Sequence, residues 1–579
     1  MTVPAATGST TGPAAPDPAP APAAPDPVLT GSATAGPAAN PATGPVVTGP
    51  VRHGFDADYA LHADGSRVER LADILRRRAA ATPDLPAVIE PGGVTTFAVL
   101  DARSSRAARA LLADGVGEGD RVAYIGANAP SFLEVLYGAA KIGAIATAVN
   151  NRLAPAEVAQ ILGDAEPSVL VLGSGDGGLA PGKGVVPSLT RVVTADGDPG
   201  TTPYEDWLDG HPADDPGVLA DPGSTALIFY TSGTTGLPKG IMLSGRNLGQ
   251  ALATMHYEIG MDETSVAMAP IPYFHISGLG LAMVAAVNGA ALLLEHATAP
   301  EELRDLLISR RVSHAALVPT LIQRLVALPG VREYDWSALK IVVYGSSPIP
   351  LPVIRAATES IGCRFLQSYG LTESTGGVTV LHPDDHLPEP GLEGRLLSAG
   401  RPMHGVPMRV VRPETLEDLG PGERGEVLIG GGHVMTGYWR RPAETAATIL
   451  PGGWLRTGDG GSFDADGYLY LHDRIKDMIV SGGENVYPAE VESVLTGHPS
   501  VAEVAVVGVP SDRWGEVPHA VVVPRPGAEP VTAQQLISWT RERLAHFKCP
   551  ADVSFVDALP RNASGKLLKT RLREDHGRR

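Results

Sequence analysis

The sequence has few cysteines, no excess of positive charge and no long uninterrupted hydrophobic run. Only two cysteines, Cys363 and Cys549, occur among its 579 residues, which argues against a disulfide framework and favours a reducing compartment. The net charge is 46 − 64 = −18, which argues against a general nucleic-acid-binding protein. We therefore expect a soluble, cytoplasmic protein that does not bind nucleic acid.

The first fifty residues lack bulky apolar side chains and nearly all charge. They consist mainly of Ala, Pro, Gly, Thr and Val, and Asp17 and Asp26 are their only charged residues. Such a composition cannot offset the entropy cost of ordering. No Lys or Arg occurs before Arg52, and no continuous apolar core follows, so a secretory signal is not expected. We predict a disordered tail over residues 1–55.

The most hydrophobic stretch, residues 278–294, is nearly uncharged and almost long enough to span a bilayer. Asn288-Gly289 interrupts it and leaves one piece of helix length and one of strand length. The pattern predicts a buried helix followed by a buried strand, and no transmembrane segment.

Length and texture predict more than one domain. A chain of 579 residues is too long for one compact core. Strand-like runs alternate with helical patterns up to about residue 370, as in parallel α/β layers. The predicted fold class is α/β. We expect a large N-terminal domain (56–475) of layered α/β subdomains plus a small β subdomain from about 400 to 472, then a small mobile α+β C-terminal domain (476–579).

A loop of glycines and hydroxyl groups follows the apolar run 226–230. It reads Thr-Ser-Gly-Thr-Thr-Gly-Leu-Pro-Lys-Gly over residues 231–240. Glycines let backbone N–H groups approach a ligand, hydroxyls donate hydrogen bonds, and Lys239 supplies positive charge. A Walker loop would need Ser or Thr directly after Gly-Lys, whereas Pro238 precedes Lys239 and Gly240 follows it. The loop predicts phosphate binding by another geometry, through Thr231, Ser232, Gly233, Thr234, Thr235, Gly236 and Lys239.

Further polar motifs follow later apolar runs. In Tyr369-Gly-Leu-Thr-Glu373, the tyrosine can stack on a purine, Thr372 can donate to a phosphate and Glu373 can hold Mg²⁺. Asp459, which ends a Thr-Gly-Asp motif, is suited to bonding both hydroxyls of a ribose. Lys566 lies in a Gly/Ser loop near the C-terminus. Taken singly, each motif is also compatible with an ordinary polar loop.

Together, and in this order, these motifs resemble those of the acyl-adenylate-forming superfamily. That superfamily includes acyl- and aryl-CoA synthetases, adenylation domains of peptide synthetases and beetle luciferases. The resemblance runs from about residue 70 to about residue 570. The segment Ser481-Gly-Gly-Glu-Asn-Val-Tyr-Pro-Ala-Glu-Val-Glu492 is similar to the CoA ligases, whereas peptide-synthetase domains usually read Gly-x-Arg-Ile-Glu there. The resemblance implies an acid–thiol ligase that uses ATP, Mg²⁺ and coenzyme A.

The resemblance also implies individual roles. Lys566 would bridge the substrate carboxylate and the α-phosphate, Thr372 would lie near that phosphate, and Glu373 would hold Mg²⁺. Besides the phosphate loop, ATP would be bound by Ser346, Ser347, Ser368, Tyr369, Gly370, Asp459 and Arg474. Lys476 would be the hinge about which the C-terminal domain rotates. The CoA tunnel would be lined by Ser481, Gly482, Gly483 and Glu484.

The acyl pocket implied by the resemblance consists of His275, Gly278, Thr320, Tyr344, Gly345 and Gly370. His275 would lie near the carboxylate without acting as a catalytic base. The small Gly278, Gly280 and Gly345 leave room for a chain, and the apolar stretch 279–284 could wall it. This favours a medium- or long-chain fatty acid over an aromatic or alicyclic acid.

Several alternatives stay open on the sequence alone. The acceptor could be the phosphopantetheine of a carrier protein, and the chain could form a homodimer. A catalytically silent regulator would be expected to lack Lys566, Glu373 or Asp459, all of which are present. Luciferase-like oxygenation uses the same adenylation motifs. The cluster His382-Pro-Asp-Asp-His386 offers metal-ligand atoms, but its proline-rich surroundings predict an exposed loop without a metal.

Overall fold

The structure is a computed structural model. It describes residues 70–231, 238–297, 299–347, 349–387, 393–474, 477, 479–481, 484–486, 488–511, 513–561 and 567–577. The predicted tail, most of the phosphate loop, Lys476 and Lys566 lie outside the described residues.

Strands make up most of the framework. In chain order they are β1 (Pro86–Glu90), β2 (Gly93–Thr96), β3 (Arg121–Ile125), β4 (Ile145–Val149), β5 (Val169–Leu172), β6 (Arg191–Thr194), β7 (Thr202–Pro203), β8 (Thr225–Thr231), β9 (Lys239–Ser244), β10 (Val266–Met268), β11 (Ala291–Leu293), β12 (His314–Leu317), β13 (Ile341–Gly345), β14 (Arg364–Leu371), β15 (Gly376–Leu381), β16 (Arg401–Pro402), β17 (Met408–Val411), β18 (Gly425–Ile429), β19 (Gly437–Tyr438), β20 (Ile449–Leu450), β21 (Trp454–Phe463), β22 (Leu469–Arg474), β23 (Ile479–Ser481), β24 (Glu484–Val486), β25 (Val501–Ser511), β26 (Gly515–Pro524) and β27 (Asp552–Phe555).

The described helices cover the sheets. In chain order they are α1 (Leu71–Ala81), α2 (Phe97–Ala113), α3 (Pro130–Lys141), α4 (Pro155–Ala165), α5 (Tyr204–Leu208), α6 (Gly245–Ile259), α7 (Ile276–Asn288), α8 (Pro300–Ser309), α9 (Pro319–Val326), α10 (Leu351–Ile361), α11 (Pro442–Thr448), α12 (Pro488–Thr496), α13 (Ala533–Arg541) and α14 (Lys569–His576). None of these helices is both long and apolar enough to cross a membrane.

Two large, mainly parallel sheets organise the N-terminal part. One runs in the order β16-β15-β14-β13-β12-β10-β11-β1-β2 and the other in the order β19-β9-β8-β4-β3-β5-β6-β7. The largest hydrophobic cluster joins the facing sides of both sheets to apolar side chains of α1, α2, α3, α6 and α7. Helices α8 to α10 cover the outer face of the first sheet, and α4 covers that of the second. The predicted layered α/β architecture is therefore confirmed.

The remaining sheets form the predicted small β subdomain and the α+β unit. Strands β17, β18, β21 and β20 form one sheet, and β22 pairs with β21. Strands β24, β23, β26 and β25 form another, and β27 pairs with β26. Its two faces are covered by α12 with α13 and by α14. The hydrophobic stretch 278–294 divides as predicted, because α7 ends at Asn288, Gly289 adopts a left-handed φ of 69° and β11 follows.

Candidate active site

The hairpin of β14 and β15 carries the central part of the site. A 3₁₀ turn, Thr372–Ser374, joins the two antiparallel strands. The Ser374 hydroxyl caps this turn, accepting from Leu371 N at 2.8 Å. The segment 433–435 also binds this turn: Met435 N donates to Glu373 O at 2.9 Å, and Thr375 Oγ1 donates to the His433 carbonyl at 2.7 Å. The backbone of Thr372 and Glu373 is therefore fixed both by the Ser374 cap and by the segment 433–435.

Close backbone packing beside this hairpin explains two glycines. A Cβ on Gly345 would lie 2.2 Å from Ser368 O, and one on Gly370 would lie 1.8 Å from Gly376 O. Ser346 then adopts a left-handed φ of 66° although it is not a glycine, and such strain concentrates at functional sites. The Ser368 hydroxyl is buried and has no hydrogen-bond partner among the described residues. An unpaired buried hydroxyl next to a strained loop fits a bound polar ligand.

Tyr369 and Asp459 meet although ninety residues separate them in sequence. The Tyr369 hydroxyl donates to Asp459 Oδ2 at 2.7 Å. Asp459 N in turn donates to Thr457 Oγ1 at 3.0 Å, which orients the turn of β21. The backbone of Arg474 is the register partner of Asp459 in the β21–β22 pair. The structure therefore brings together an aromatic ring, a carboxylate and the backbone of the predicted ribose-binding arginine.

The strands that flank the phosphate loop pair with each other, Thr231 opposite Lys239. Strand β19 then pairs with β9, so that Tyr438 lies opposite Ile241. The Lys239 ammonium lies 5.1 Å from the centroid of the Tyr438 ring and forms an ion pair with Glu444. Residues 232–237, which include Ser232, Gly233, Thr234, Thr235 and Gly236, lie outside the described residues.

Tyr438 connects Lys239 to the predicted metal ligand, Glu373. Its hydroxyl donates to Glu373 Oε1 at 3.2 Å. Burial and the adjacent Glu373 carboxylate raise the pKa of Tyr438, so the phenol stays protonated and remains a donor. Sequence reasoning missed both Tyr438 and Glu444. Their only local signal is the Gly-Tyr-Trp-Arg-Arg-Pro-Ala-Glu run (437–444), which does not identify its partners.

His275 immediately precedes α7, and its ring lies 4.7 Å from that of Phe274. Burial, with a smaller effect of the Arg152 charge, lowers the pKa of His275 to about 4. The imidazole is therefore neutral at physiological pH and can donate one hydrogen bond. Three residues further on, Gly278 packs so tightly that a Cβ would lie 2.4 Å from Ile271 O. A Cβ at Gly376 would lie 3.6 Å from Ile276 Cγ1, which brings the start of α7 next to the β14–β15 hairpin.

Two predicted pocket residues differ in exposure. Thr320 is exposed in the first turn of α9. The Tyr344 side chain is only 2% exposed and packs in the cluster beneath α8 to α10, on the opposite face of the sheet from the apolar side chains of α7. Because side chains alternate between the two faces of a strand, Tyr344 points to the opposite face of the sheet from its neighbours Val343 and Gly345. Tyr344 is therefore part of the core.

The predicted exposed loop at His382–His386 is wrong. Residues 383–386 form a 3₁₀ turn, and His386 is 4% exposed. Its Nδ1 donates to His382 O at 2.9 Å, and its Nε2 lies 2.9 Å from the Tyr344 hydroxyl. The histidine fills a buried polar position beneath β13. No group of three or more His, Cys, Asp or Glu side chains that could hold a metal ion occurs among the described residues.

The predicted CoA-side residues follow the large domain. Ser481 is buried at the end of β23, where it pairs with Gly515 of β26. Gly482 and Gly483 lie outside the described residues, and Glu484 begins β24.

The fold is that of an adenylate-forming ligase. The AMP-binding enzyme family matches residues 75–439, and the AMP-binding enzyme C-terminal domain matches residues 490–566. The chain belongs to this family, whose members similar to it are AMP-forming acid–thiol ligases.

Individual relatives differ in the acid and the acceptor that their names specify. The chain is 39% identical to a fatty acid–[acyl-carrier-protein] ligase, ScoC, from Streptomyces coeruleorubidus, over 85% of this chain and 93% of that protein. It is 38% identical to feruloyl-CoA synthase from an Amycolatopsis species, over 86% and 98% of the two chains. It also matches the solved structure of a Mycobacterium tuberculosis fatty acyl CoA synthetase at 35% identity with a TM-score of 0.70, over 88% and 98% of the two chains.

Proposed function

We propose that the protein is an ATP-dependent acyl-CoA ligase that activates a medium- or long-chain fatty acid as its acyl-AMP and transfers the acyl group to coenzyme A. One observation carries this proposal. On the β14–β15 hairpin, Tyr369 is hydrogen-bonded to Asp459, and at the turn of the same hairpin Tyr438 connects Glu373 to Lys239. An aromatic ring with one carboxylate, then a second carboxylate with a cation, suits the base, ribose and magnesium-bound phosphates of ATP.

In the first step, a carboxylate oxygen of the acid bonds to the α-phosphorus of ATP. The bond from that phosphorus to the bridging oxygen breaks, and pyrophosphate leaves with the electron pair. Such an in-line displacement depends on positioning and charge neutralisation. We assign Lys566 to bridging the two reactants, Thr372 to the α-phosphate, and the phosphate loop with Lys239 to the leaving group. Glu373 offers the carboxylate oxygen that Mg²⁺ prefers, and the ion would neutralise phosphate charge there.

In the second step, the sulfur of CoA bonds to the acyl carbonyl carbon, the bond from that carbon to the phosphate oxygen breaks, and AMP leaves. The thiol proton passes to solvent. We assign the CoA approach to Ser481, Gly482, Gly483 and Glu484, and the pivot between the two steps to Lys476. A short charged segment between domains suits a hinge. With only two cysteines in the chain, we expect both steps to occur in the cytoplasm.

The preference for a fatty acid is supported by the helix that begins at the site. A Cβ on Gly280 would have no heavy atom within 4 Å, so α7 has open space along a stretch whose neighbours are apolar. A linear alkyl chain suits such a space. The neutral His275 can donate to the carboxylate at the head of this space without forming a fixed ion pair.

A carrier protein is the second candidate acceptor. The observation that favours it is the 39% identity to a ligase whose name specifies an acyl carrier protein. The adenylation step is the same for both acceptors, so only the thiol that is used distinguishes them.

Pyrophosphate release with a panel of linear, aromatic and alicyclic acids, each with and without free CoA, tests the proposal. A fatty acid that drives turnover only with CoA, with accumulation of the thioester, is the expected result. Lys566→Ala should slow release at least about a hundredfold, since it removes a charge from the reacting atoms. Lys183→Ala, at an exposed lysine, is the control and should match the parent. Accumulation of acyl-AMP unaffected by CoA would favour the carrier protein, and release unaffected by Lys566→Ala would contradict the proposal.

A further inference from the structure

Glu444 divides its carboxylate between two cations beside the phosphate loop. Its Oε2 contacts Lys239 Nζ, and its Oε1 accepts from Arg441 Nη1 at 3.3 Å. Lys239 is the first residue of β9, and Glu444 lies in α11, directly after the strand that pairs with β9. The contact between Lys239 and Glu444 therefore follows from the sheet register.

The two cations are not equivalent. The Lys239 side chain is 21% exposed and adjoins the phosphate loop. Arg441 lies on the other side, with Nη2 3.9 Å from Asp164 Oδ1. The Arg441 Nε is buried and has no hydrogen-bond partner in the part of the chain that the structure describes. Arg441 therefore keeps donor capacity for Glu444 if Lys239 turns to another anion.

We propose that Glu444 is a positioning residue and that the Lys239 ammonium exchanges between Glu444 and the pyrophosphate leaving group. It holds the ammonium group when no nucleotide is bound, releases it to the phosphates when ATP binds, and recovers it when pyrophosphate leaves. No covalent bond changes in this exchange. A lysine is suited to it because its ammonium is a compact charge on a flexible stem. The inference rests on the proposed function, since it assigns Lys239 to the phosphates.

The exchange predicts that the Glu444 carboxylate weakens pyrophosphate binding and thereby promotes release. A carboxylate that served only to hold Lys239 in a binding position would have the opposite effect, because its loss would weaken the binding. The sign of the change therefore separates the two roles.

Titration calorimetry of magnesium pyrophosphate with the full chain measures this directly and needs no acid substrate. Glu444→Gln keeps the size of the side chain and removes its charge. We expect pyrophosphate to bind about fivefold more tightly, as for the removal of one nearby competing charge. Glu166→Gln is the matched control, because Glu166 pairs with Arg440 of the same segment and does not touch Lys239. Its affinity should stay within about twofold of the parent, as for an exposed ion pair.

A second variant pair tests whether Glu444 acts through Lys239. In a Lys239→Gln background, Glu444→Gln should no longer tighten pyrophosphate binding. Glu444→Asp keeps the charge but moves it away from Lys239, so it should bind pyrophosphate with intermediate affinity. This variant also provides a test if Glu444→Gln fails to fold. Equal or weaker binding by the folded Glu444 variants, or a gain that persists without Lys239, would overturn the exchange.

These results stay distinct from those on the proposed function. Tighter pyrophosphate binding by Glu444→Gln, together with no release by the parent on any acid, would overturn the ligase activity and support the exchange. Normal release by the parent, with unchanged binding by Glu444→Gln, would overturn the exchange alone.

Discussion

At the scale of single residues, the site depends on side-chain hydrogen bonds between distant parts of the sequence. Tyr438 is the clearest case, because its hydroxyl reaches Glu373 across sixty-five positions. A phenol that stays protonated can fix the direction of a carboxylate without neutralising it. The carboxylate then keeps its full charge for a cation. Tyr438 is therefore expected to act through Glu373 and not on the reacting atoms.

Replacing Tyr438 by Phe should raise the magnesium concentration that gives half-maximal pyrophosphate release. The free energy of a hydrogen bond to a charged group is large enough to shift this concentration about tenfold. The control is Tyr468→Phe, which also removes a hydroxyl that donates to a carboxylate, Asp385 Oδ1 at 2.6 Å, but in another part of the domain. An equal magnesium requirement in the two variants would contradict the assigned role of Tyr438.

At the scale of elements, the backbones of β14 and β15 approach each other too closely at Gly370 to leave room for a side chain. Gly370→Ala would introduce a Cβ 1.8 Å from Gly376 O, so the two strands would have to separate. We expect a loss of about 1–3 kcal/mol in the free energy of unfolding, as for other overpacked positions, together with weakened ATP binding. Urea denaturation and ATP titration measure the two effects.

Gly163→Ala in α4 is the control for this prediction. A Cβ there would meet no heavy atom within 4 Å, so the change should stabilise the helix by about 0.5–1 kcal/mol. If Gly370→Ala were as stable as this control and bound ATP like the parent, the close packing of the hairpin would be required neither for stability nor for ATP binding.

The elements of the fold could be predicted where the signal is local. The break at Asn288-Gly289 predicted the end of α7. Strand β14 extends beyond its apolar residues Phe365 and Leu366 to Leu371, because pairing with β13 and β15 on both sides sustains polar and glycine residues in a strand. His386 was predicted to be exposed because the prolines around it are close in sequence. Tyr344, which helps to bury it, is forty-two residues away in sequence and gave no signal.

The site could be predicted only in part for the same reason. Motif order, through the resemblance, identified Tyr369 and Asp459, which the structure brings together, and Glu373, which lies in the turn of the same hairpin as Tyr369. Glu444 and Tyr438 were missed because their roles depend on the pairing of β9 with β19, two strands that are almost two hundred residues apart. Sequence spacing carries no information about that contact.

At the scale of the whole molecule, burial affects the response to acid. Burial is the largest cause that lowers the pKa values of four histidines to about 4, namely His275, His314, His433 and His472. In the unfolded chain a histidine titrates near 6.5. Between these values the unfolded chain binds protons that the folded chain does not. The stability that these neutral histidines contribute is therefore complete above pH 6.5 and is lost as the pH falls toward 4.

His433→Gln tests this at the most buried of the four, since His433 is 0% exposed. Between pH 6.5 and 4 the variant should lose stability less steeply than the parent, by about 1.4 kcal/mol per pH unit for one proton. Urea denaturation at a series of pH values gives both slopes. His546→Gln, which changes an exposed histidine, is the control. A parent-like slope in His433→Gln would contradict the linkage.

The hydrogen bond between Tyr369 and Asp459 has a consequence for biosynthesis. A ribosome makes the chain from its N-terminus, and early segments can fold before later ones emerge. The strands of both large sheets up to β15 are complete by residue 381, yet the carboxylate that meets Tyr369 is still missing at that stage. The contact between Tyr369 and Asp459 can therefore form only after residue 459 has left the ribosome, and the nascent sheets have to hold together until then without it.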